Sequence, residues 1–278
     1  MKGYSIWIIS PPGDDRQRAF DNISLCLQEA LRKIGYDAPI VMDRGKVTGR
    51  PIILATNLLY TINIDQIPSN AILYNFEQIY PDSPWVTKSY ISLLRNHEVW
   101  EYSPRNKFNL ENLGVNKIKL CPVGYEPVLS TIGDSDEVID VLMYGKVNRR
   151  RQKIIDELSD KGYKAKLLSK VYGEARDYYI SRSKIILNVH YYPARIFEVV
   201  RVSYLLANQR FVISESGDDC ELERPFQGGL EFVSYDELVE RCCDYIDDPQ
   251  GREKIALGGY LLFNKMKQHK ILEKIVES

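Results

Sequence analysis

The sequence predicts a two-domain α/β protein built on parallel sheets. Three observations carry this. Short apolar runs alternate with amphipathic helical stretches from end to end. The stretch over 128–137, rich in small and polar residues, reads as a linker, which sets the domains at 1–130 and 131–278. The 278 residues, 44% hydrophobic and 27% charged, leave room for two ordinary globular cores.

In the first half, Tyr4 to Ser10 (YSIWIIS) is β-rich and is cut off by Pro11-Pro12-Gly13. Over 16–34, Phe20, Ile23, Leu27, Leu31 and Ile34 share one helical face, and Gly35 supplies the stop. Strands follow at 38–42, 51–55 and 71–74, the last ending in Asn75-Phe76-Glu77-Gln78. A helix over about 84–95 and a strand at 98–102 come next, then a helix near 105–113 and a strand at 117–120.

The second half repeats the alternation. Strands are predicted at 138–144, 165–168, 184–189 and 211–214. Helices are predicted at 148–161, 174–182, 195–207, about 235–247 and 250–275. Sheets of this kind bind ligands at the carboxyl ends of their strands. The first βα turn reads Ser-Pro-Pro-Gly-Asp-Asp and lacks the glycine pattern of a dinucleotide enzyme.

Composition narrows the partners. The formal net charge of −1 gives no global attraction to nucleic acid or anionic membrane. Five cysteines without metal spacing read as reduced thiols. The start, Met1-Lys2-Gly3, leads into too short an apolar run for a secretory leader, and no run approaches the roughly 20 residues that span a bilayer. A cytoplasmic protein is expected.

Four constellations bear chemistry. Gly145-Lys146-Val147-Asn148-Arg149-Arg150-Arg151 follows the first strand of the second half. Glycine admits close backbone approach, a helix N-terminus attracts anions, and guanidinium matches phosphate, so this is a diphosphate cradle or else a solvated basic helix start. Basic residues there oppose the helix dipole, so an anion is the natural compensation. Arg149 is expected to point inward and Arg150 and Arg151 to other faces. Second, His190 ends a strand, and a short loop leads to a helix carrying Glu198, whose carboxylate could accept hydroxyl hydrogen bonds or merely favour the helix dipole. Third, Glu77 ends a first-half strand and is either a base or a solvated loop carboxylate. Fourth, Gly13 and Asp14 occupy the first βα turn, which holds a ligand or is a plain turn.

Several pieces together resemble bacterial GT-B glycosyltransferases of the group related to spore-maturation CgeB-like proteins, with a family 1-type C-terminal domain. They are SKIILNVH (183–190), RIFEVVRVSYLLANQRFVIS (195–214), YDELVERCCDYIDDP (235–249) and REKIALGGY (252–260), with WEYSPRN (100–106), PVGYEP (122–127) and YGKVNRRR (144–151) upstream. The resemblance implies two Rossmann-like domains with a cleft between them. It implies a sugar moved from a UDP- or GDP-sugar, held by the second domain, to a glycan or other acceptor on the first. It places Glu198 on the donor ribose, Gly145, Lys146 and Arg149 around the diphosphate, and Arg195 at the start of the ribose-binding helix. His190 stands where many retaining members carry a first glutamate, which gives it a catalytic place and leaves the stereochemistry open. Asn106 and Tyr125 enter as acceptor-side or loop residues; were the reaction inverting, Glu77, Asp14 and Asp15 are the candidate bases, Glu77 first among them. Neither cofactor nor metal is implied, because basic side chains and helix dipoles neutralise the leaving group. Two other readings share these features: a non-catalytic two-lobed nucleotide or sugar binder, and a viral-type DNA-modifying sugar transferase, which the neutral charge disfavours.

Overall fold

The computed structural model describes residues 3–276. The leader reading, which turns on Met1 and Lys2, and the outer ends of both domain ranges lie outside them. The chain divides into two contact units: residues up to Val128 together with those from Met266 onward, and Leu129–Lys265.

In the first unit β1 (Tyr4–Ile8), β2 (Ile40–Val41), β3 (Arg50–Leu54), β4 (Ile72–Asn75), β5 (Glu98–Glu101) and β6 (Ile118–Leu120) form one parallel sheet, in the order β2-β1-β3-β4-β5-β6. All five residues of β1 are buried, as a strand covered on both faces requires. Its helices are α1 (Asp21–Lys33), α2 (Lys88–Asn96) and α3 (Pro104–Asn112), the last two capped by Thr87 and Ser103. The predicted helix over 16–34 opens as a 3-10 turn, Arg16–Phe20, before α1 begins.

In the second unit β7 (Ile139–Tyr144), α4 (Arg149–Asp160), β8 (Ala165–Leu168), α5 (Gly173–Ser181), β9 (Ser183–Asn188), α6 (Val199–Ala207), β10 (Val212–Glu215), α7 (Cys220–Glu223), β11 (Glu231–Val233), α8 (Leu238–Ile246) and α9 (Pro249–Lys265) follow in turn. The parallel sheet runs β11-β10-β9-β7-β8. Counted from its own first strand, each unit has the order 2-1-3-4-5, with β6 added at one edge of the first. The order reverses between β1 and β3 and between β7 and β9, and ligands of such sheets bind at that point.

Two segments differ from expectation. The helix expected over 195–207 starts at Val199, so Glu198 lies just ahead of it. The helix expected over 250–275 breaks after Lys265, and α10 (Gln268–Val276) packs on α1 in the first unit. At the break Tyr125 N donates to Met266 O (2.8 Å) and Gln268 N to Tyr125 O (3.1 Å), a bridge that an unbroken helix could not make. Residues from Met266 onward, placed by the sequence in the second domain, therefore belong with the first unit.

The fully buried Glu126 carboxylate fixes this return. Lys33 Nζ lies 2.6 Å from one oxygen, and the His269 backbone N (2.8 Å) and Nδ1 (2.6 Å) meet the other. Burial alone would raise the Glu126 pKa, but Lys33 and His269 outweigh it and hold it below its ordinary 4.5. The stability gained from such a depressed carboxyl is present above pH 4.5 and is lost as pH falls. Glu126→Ala is expected to lower the stability of the first unit by about 3 kcal/mol. Trp7, Trp85 and Trp100 all lie in that unit, so urea unfolding followed by tryptophan fluorescence reads it selectively. An unmoved transition would show that the carboxylate does not fasten α10.

Candidate functional site

The β7/β9 reversal brings the Gly145 loop and the His190–Glu198 loop side by side, and Arg151 joins them. Asn148 caps α4 by accepting from Arg151 N (2.8 Å). This puts Arg151 in the first turn with its side chain over the strand ends, 1% exposed. Its guanidinium donates to Val189 O at the end of β9 (Nε, 2.8 Å) and to Lys146 O after β7 (Nη1, 2.9 Å). It lies 3.4 Å from Glu198 Oε1. Burial, with Arg201 nearby, lowers the Arg151 pKa to about 10 against the pull of Glu198.

Glu198 occupies the residue before α6, its side chain 16% exposed. Asn188 Nδ2 donates to its Oε2 (3.1 Å), and His190 Nδ1 lies 3.0 Å from the same atom. Burial would raise the Glu198 pKa, but His190, Arg201 and Arg151 hold it down to about 2, so the group is an anion at neutral pH. Arg201, one turn along α6, donates to Asn188 Oδ1 (2.6 Å). Gly145 sits between the two guanidiniums at φ +131°, and a Cβ there would come within 2.8 Å of Arg201 and 3.3 Å of Arg151. Here glycine is required by both backbone and neighbours.

Arg150 takes the third direction. Its guanidinium forks onto Glu215, a buried carboxylate at the end of β10, and lies over the Tyr235 ring at 3.8 Å. His190 N also donates to Glu215 (3.0 Å). Two of the three arginines thus find their counter-anions within the unit. Contrary to expectation, Arg149 is exposed while Arg151 is buried. Asn148 as cap sets this rotation, which helical periodicity alone does not.

The remaining predicted residues fall in different settings. Lys146 is exposed, with Nζ 3.3 Å from the Tyr192 hydroxyl and above the Tyr191 ring at 5.5 Å. Arg195 is exposed, adopts φ +44°, and pairs with Asp218. A non-glycine residue at such a φ stores strain of the kind found at ligand loops. His190 is 1% exposed, not at an open surface as its catalytic place implies.

In the first unit Asn106 is fully buried and holds a loop rather than facing solvent. It accepts from Ile79 N (2.8 Å) and donates to Glu77 O (2.8 Å) and to Glu101 (3.2 Å). Burial raises the Glu101 pKa to about 8 despite donors from Asn75, Ser103 and Asn106. Glu77 is half-buried at the end of β4. Asp14 pairs with Arg16, and Gly13 is exposed at φ +77°. Tyr125 is 4% exposed and serves the bridge to α10, which excludes it from an open acceptor surface.

The sequence motifs do not single out Asn188, Arg201 or Glu215, and they turn Arg151 away from the site that it joins. Asn188 and Glu215 were visible as polar residues closing apolar strands. No sequence signal marked Arg201. Among the described residues no group of three or more His, Cys, Asp or Glu side chains is placed to hold a metal ion, and no helix is long and apolar enough to cross a membrane.

No family model matches the sequence. Two relatives come from Acanthamoeba polyphaga mimivirus. Uncharacterized protein L138 is 33% identical over 105 residues, 37% of this chain and 12% of that protein. Uncharacterized protein L137 is 25% identical over 202 residues, 64% of this chain and 28% of that protein. The chain thus spans less than a third of the length of either relative. Similar solved structures include Anabaena HepE in complex with UDP and glucose (TM-score 0.66, 10% identity, 100% of this chain and 99% of that one). Another is sucrose-phosphate synthase from Thermosynechococcus elongatus (TM-score 0.64, 12% identity, 99% and 98%). A third is AviGT4, a glycosyltransferase involved in avilamycin A biosynthesis (TM-score 0.57, 12% identity, 98% and 96%). The chain has the GT-B glycosyltransferase fold, with two Rossmann-like domains.

Arg151→Ala is expected to destabilise the second unit by about 3 kcal/mol, since it removes the donor to two carbonyls and a cation from beside Glu198. Arg149→Ala should stay within about 0.5 kcal/mol of the parent, as exposed substitutions do. Thermal melts by circular dichroism compare them, and equal melts would remove Arg151 from its bridging role.

Proposed function

We propose that this chain is a glycosyltransferase whose second unit binds a UDP- or GDP-sugar. The observation that carries the reading is the Glu198 carboxylate, held ionised at the β7/β9 reversal beside a glycine turn with unequal calls on its cations. Arg150 and Arg151 are committed to Glu215 and Glu198. Lys146 and Arg149, on the same turn, are exposed. Ligand-bound HepE and the other GT-B neighbours support a nucleotide sugar as the donor.

In this reading Glu198 accepts hydroxyl hydrogen bonds from the ribose. Oε2 is engaged by Asn188 and His190, while Oε1 has one long contact and keeps lone-pair capacity. The diphosphate lies against Gly145 and the start of α4, with Lys146, Arg149 and Arg201 supplying positive charge. Preorganised charge there stabilises the departing nucleoside diphosphate, which is the barrier. The acceptor belongs to the first unit, with Glu77 as the base of an inverting reaction and Gly13 and Asp14 near the acceptor. No cofactor or metal takes part, and the protein works in the cytoplasm.

A thermal-shift screen of nucleotide sugars tests the donor. A true donor at 100 times its dissociation constant should stabilise the fold by about 2.7 kcal/mol. Glu198→Ala should weaken that donor by about 1.5–3 kcal/mol in calorimetry, the worth of a charge-assisted hydrogen bond. A screen in which no UDP- or GDP-sugar raises the melting temperature would refute the reading.

Turnover should persist in EDTA, because cationic side chains replace a metal at the leaving group. Loss with chelator and recovery with magnesium or manganese would overturn the metal-free mechanism.

A further inference from the structure

His190 is buried in the second unit, yet neither ring nitrogen has an aligned hydrogen-bond partner. Nδ1 lies 3.0 Å from Glu198 Oε2, an ion-pair distance. The backbone closes over the other nitrogen. Asp218 N donates to Arg195 O (3.0 Å), and a Cβ on Gly217 would lie 2.1 Å from Arg195 O and 3.1 Å from His190 Nε2. The ring thus sits beneath the junction of the β9–α6 and β10–α7 loops.

We propose that His190 is a positioning residue, whose imidazole, 3.0 Å from Oε2, holds the Glu198 carboxylate in the orientation that receives a ligand hydroxyl. The proposal rests on the nucleotide-sugar reading for what that hydroxyl belongs to. The charged groups that face the ring are Glu198 from the α6 side, Glu215 from β10 and Glu223 from α7, with Arg150 of α4 at 3.5 Å from the His190 carbonyl and Arg151 and Arg201 beyond Glu198. Burial by itself favours the neutral ring, but Glu198, Glu215 and Glu223 outweigh it and raise the pKa above its ordinary 6.5. These carboxylates therefore favour the charged form beyond its ordinary range, and it is lost as pH rises. Asn188 then remains as the other donor to Oε2, and that oxygen loses its charged neighbour while Arg151 stays beside Oε1.

Two measurements on the full chain test this. The first follows the His190 ring by NMR across pH in the parent and in Glu198→Gln. Titration should move down by about one unit or more in the variant, the signature of a paired charge. An unmoved titration overturns the proposal whatever the protein binds. The second measures UDP binding, with GDP in parallel, by calorimetry from about pH 6 to pH 9. The parent should weaken about tenfold across that range, the equivalent of one pKa unit. His190→Gln should bind with intermediate affinity and no such pH dependence, and His190→Leu weakly throughout. His190→Leu matching the parent in affinity and pH profile would make the ring a bystander. Coupling seen by NMR without any UDP or GDP binding would support the pair and reject the nucleotide as its ligand.

Discussion

The site in the second unit depends on one buried guanidinium. Arg151 holds the carbonyls of Val189 and Lys146, the backbones that follow β9 and β7. The sheet brings these strand ends together, but it does not decide how the loops beyond them are arranged. A residue that bonds both loops from below fixes their separation. Because it is buried it also needs an anion, and Glu198 is that anion. Arg151 thus ties the loop geometry to Glu198, whose ionisation it supports together with His190 and Arg201. Gly145 follows from it too, since a side chain there would meet Arg151 and Arg201.

Three arginines at a helix N-terminus run against the dipole. The fold resolves this by sending each to a different place. Arg151 goes inward to Glu198, Arg150 across to Glu215, and Arg149 out to solvent. A charge census of the motif cannot anticipate this, because it treats three like residues as one patch. What decides is the cap. With Asn148 as N-cap, Arg151 must be third in the helix, and that position looks back over the sheet. Asn148 was readable in the sequence as a capping type, and the rotation of the arginines could have been drawn from it.

The strands and most helices were legible because the burial behind them is periodic. The runs at 4–8, 72–75, 139–144 and 183–188 are buried almost throughout, and a strand covered by helices on two sides leaves that mainly apolar trace. The short elements were not legible. α7 and β11 span four and three residues, too few for a period to show. The break at Met266 was hidden for another reason: the sequence continues in good helix formers, and only the bridge to Tyr125 and the charge of Glu126 halt it. Contacts distant in sequence set that boundary. The site was legible in its loops but not in its wiring. Glu198, Gly145 and Lys146 stand at the predicted turns, whereas the burial of His190 and the role of Arg201 come from neighbours far along the chain.

The two units share a strand order, but their strand ends differ in electrostatics, and this separates the ligands they suit. In the first unit the carboxylate at the end of β5, Glu101, is surrounded by Asn75, Asn106 and the Ser103 backbone, all neutral donors. Burial therefore dominates, and its pKa rises to about 8. In the second unit the carboxylate before α6, Glu198, has Arg151, Arg201 and His190 about it, and its pKa falls to about 2. Burial acts in the same direction on both, so the neighbours decide the sign. The guanidinium of the first βα turn in the first unit, Arg16, is paired with Asp14, whereas the corresponding turn of the second unit presents Lys146 and Arg149 to solvent. A diphosphate carries its charge to whichever edge can meet it with cations already in place. An uncharged hydroxyl compound requires no such field. The turn after β7 thus offers the cationic edge that suits an anion, and the first βα turn of the first unit, with Arg16 already paired, does not.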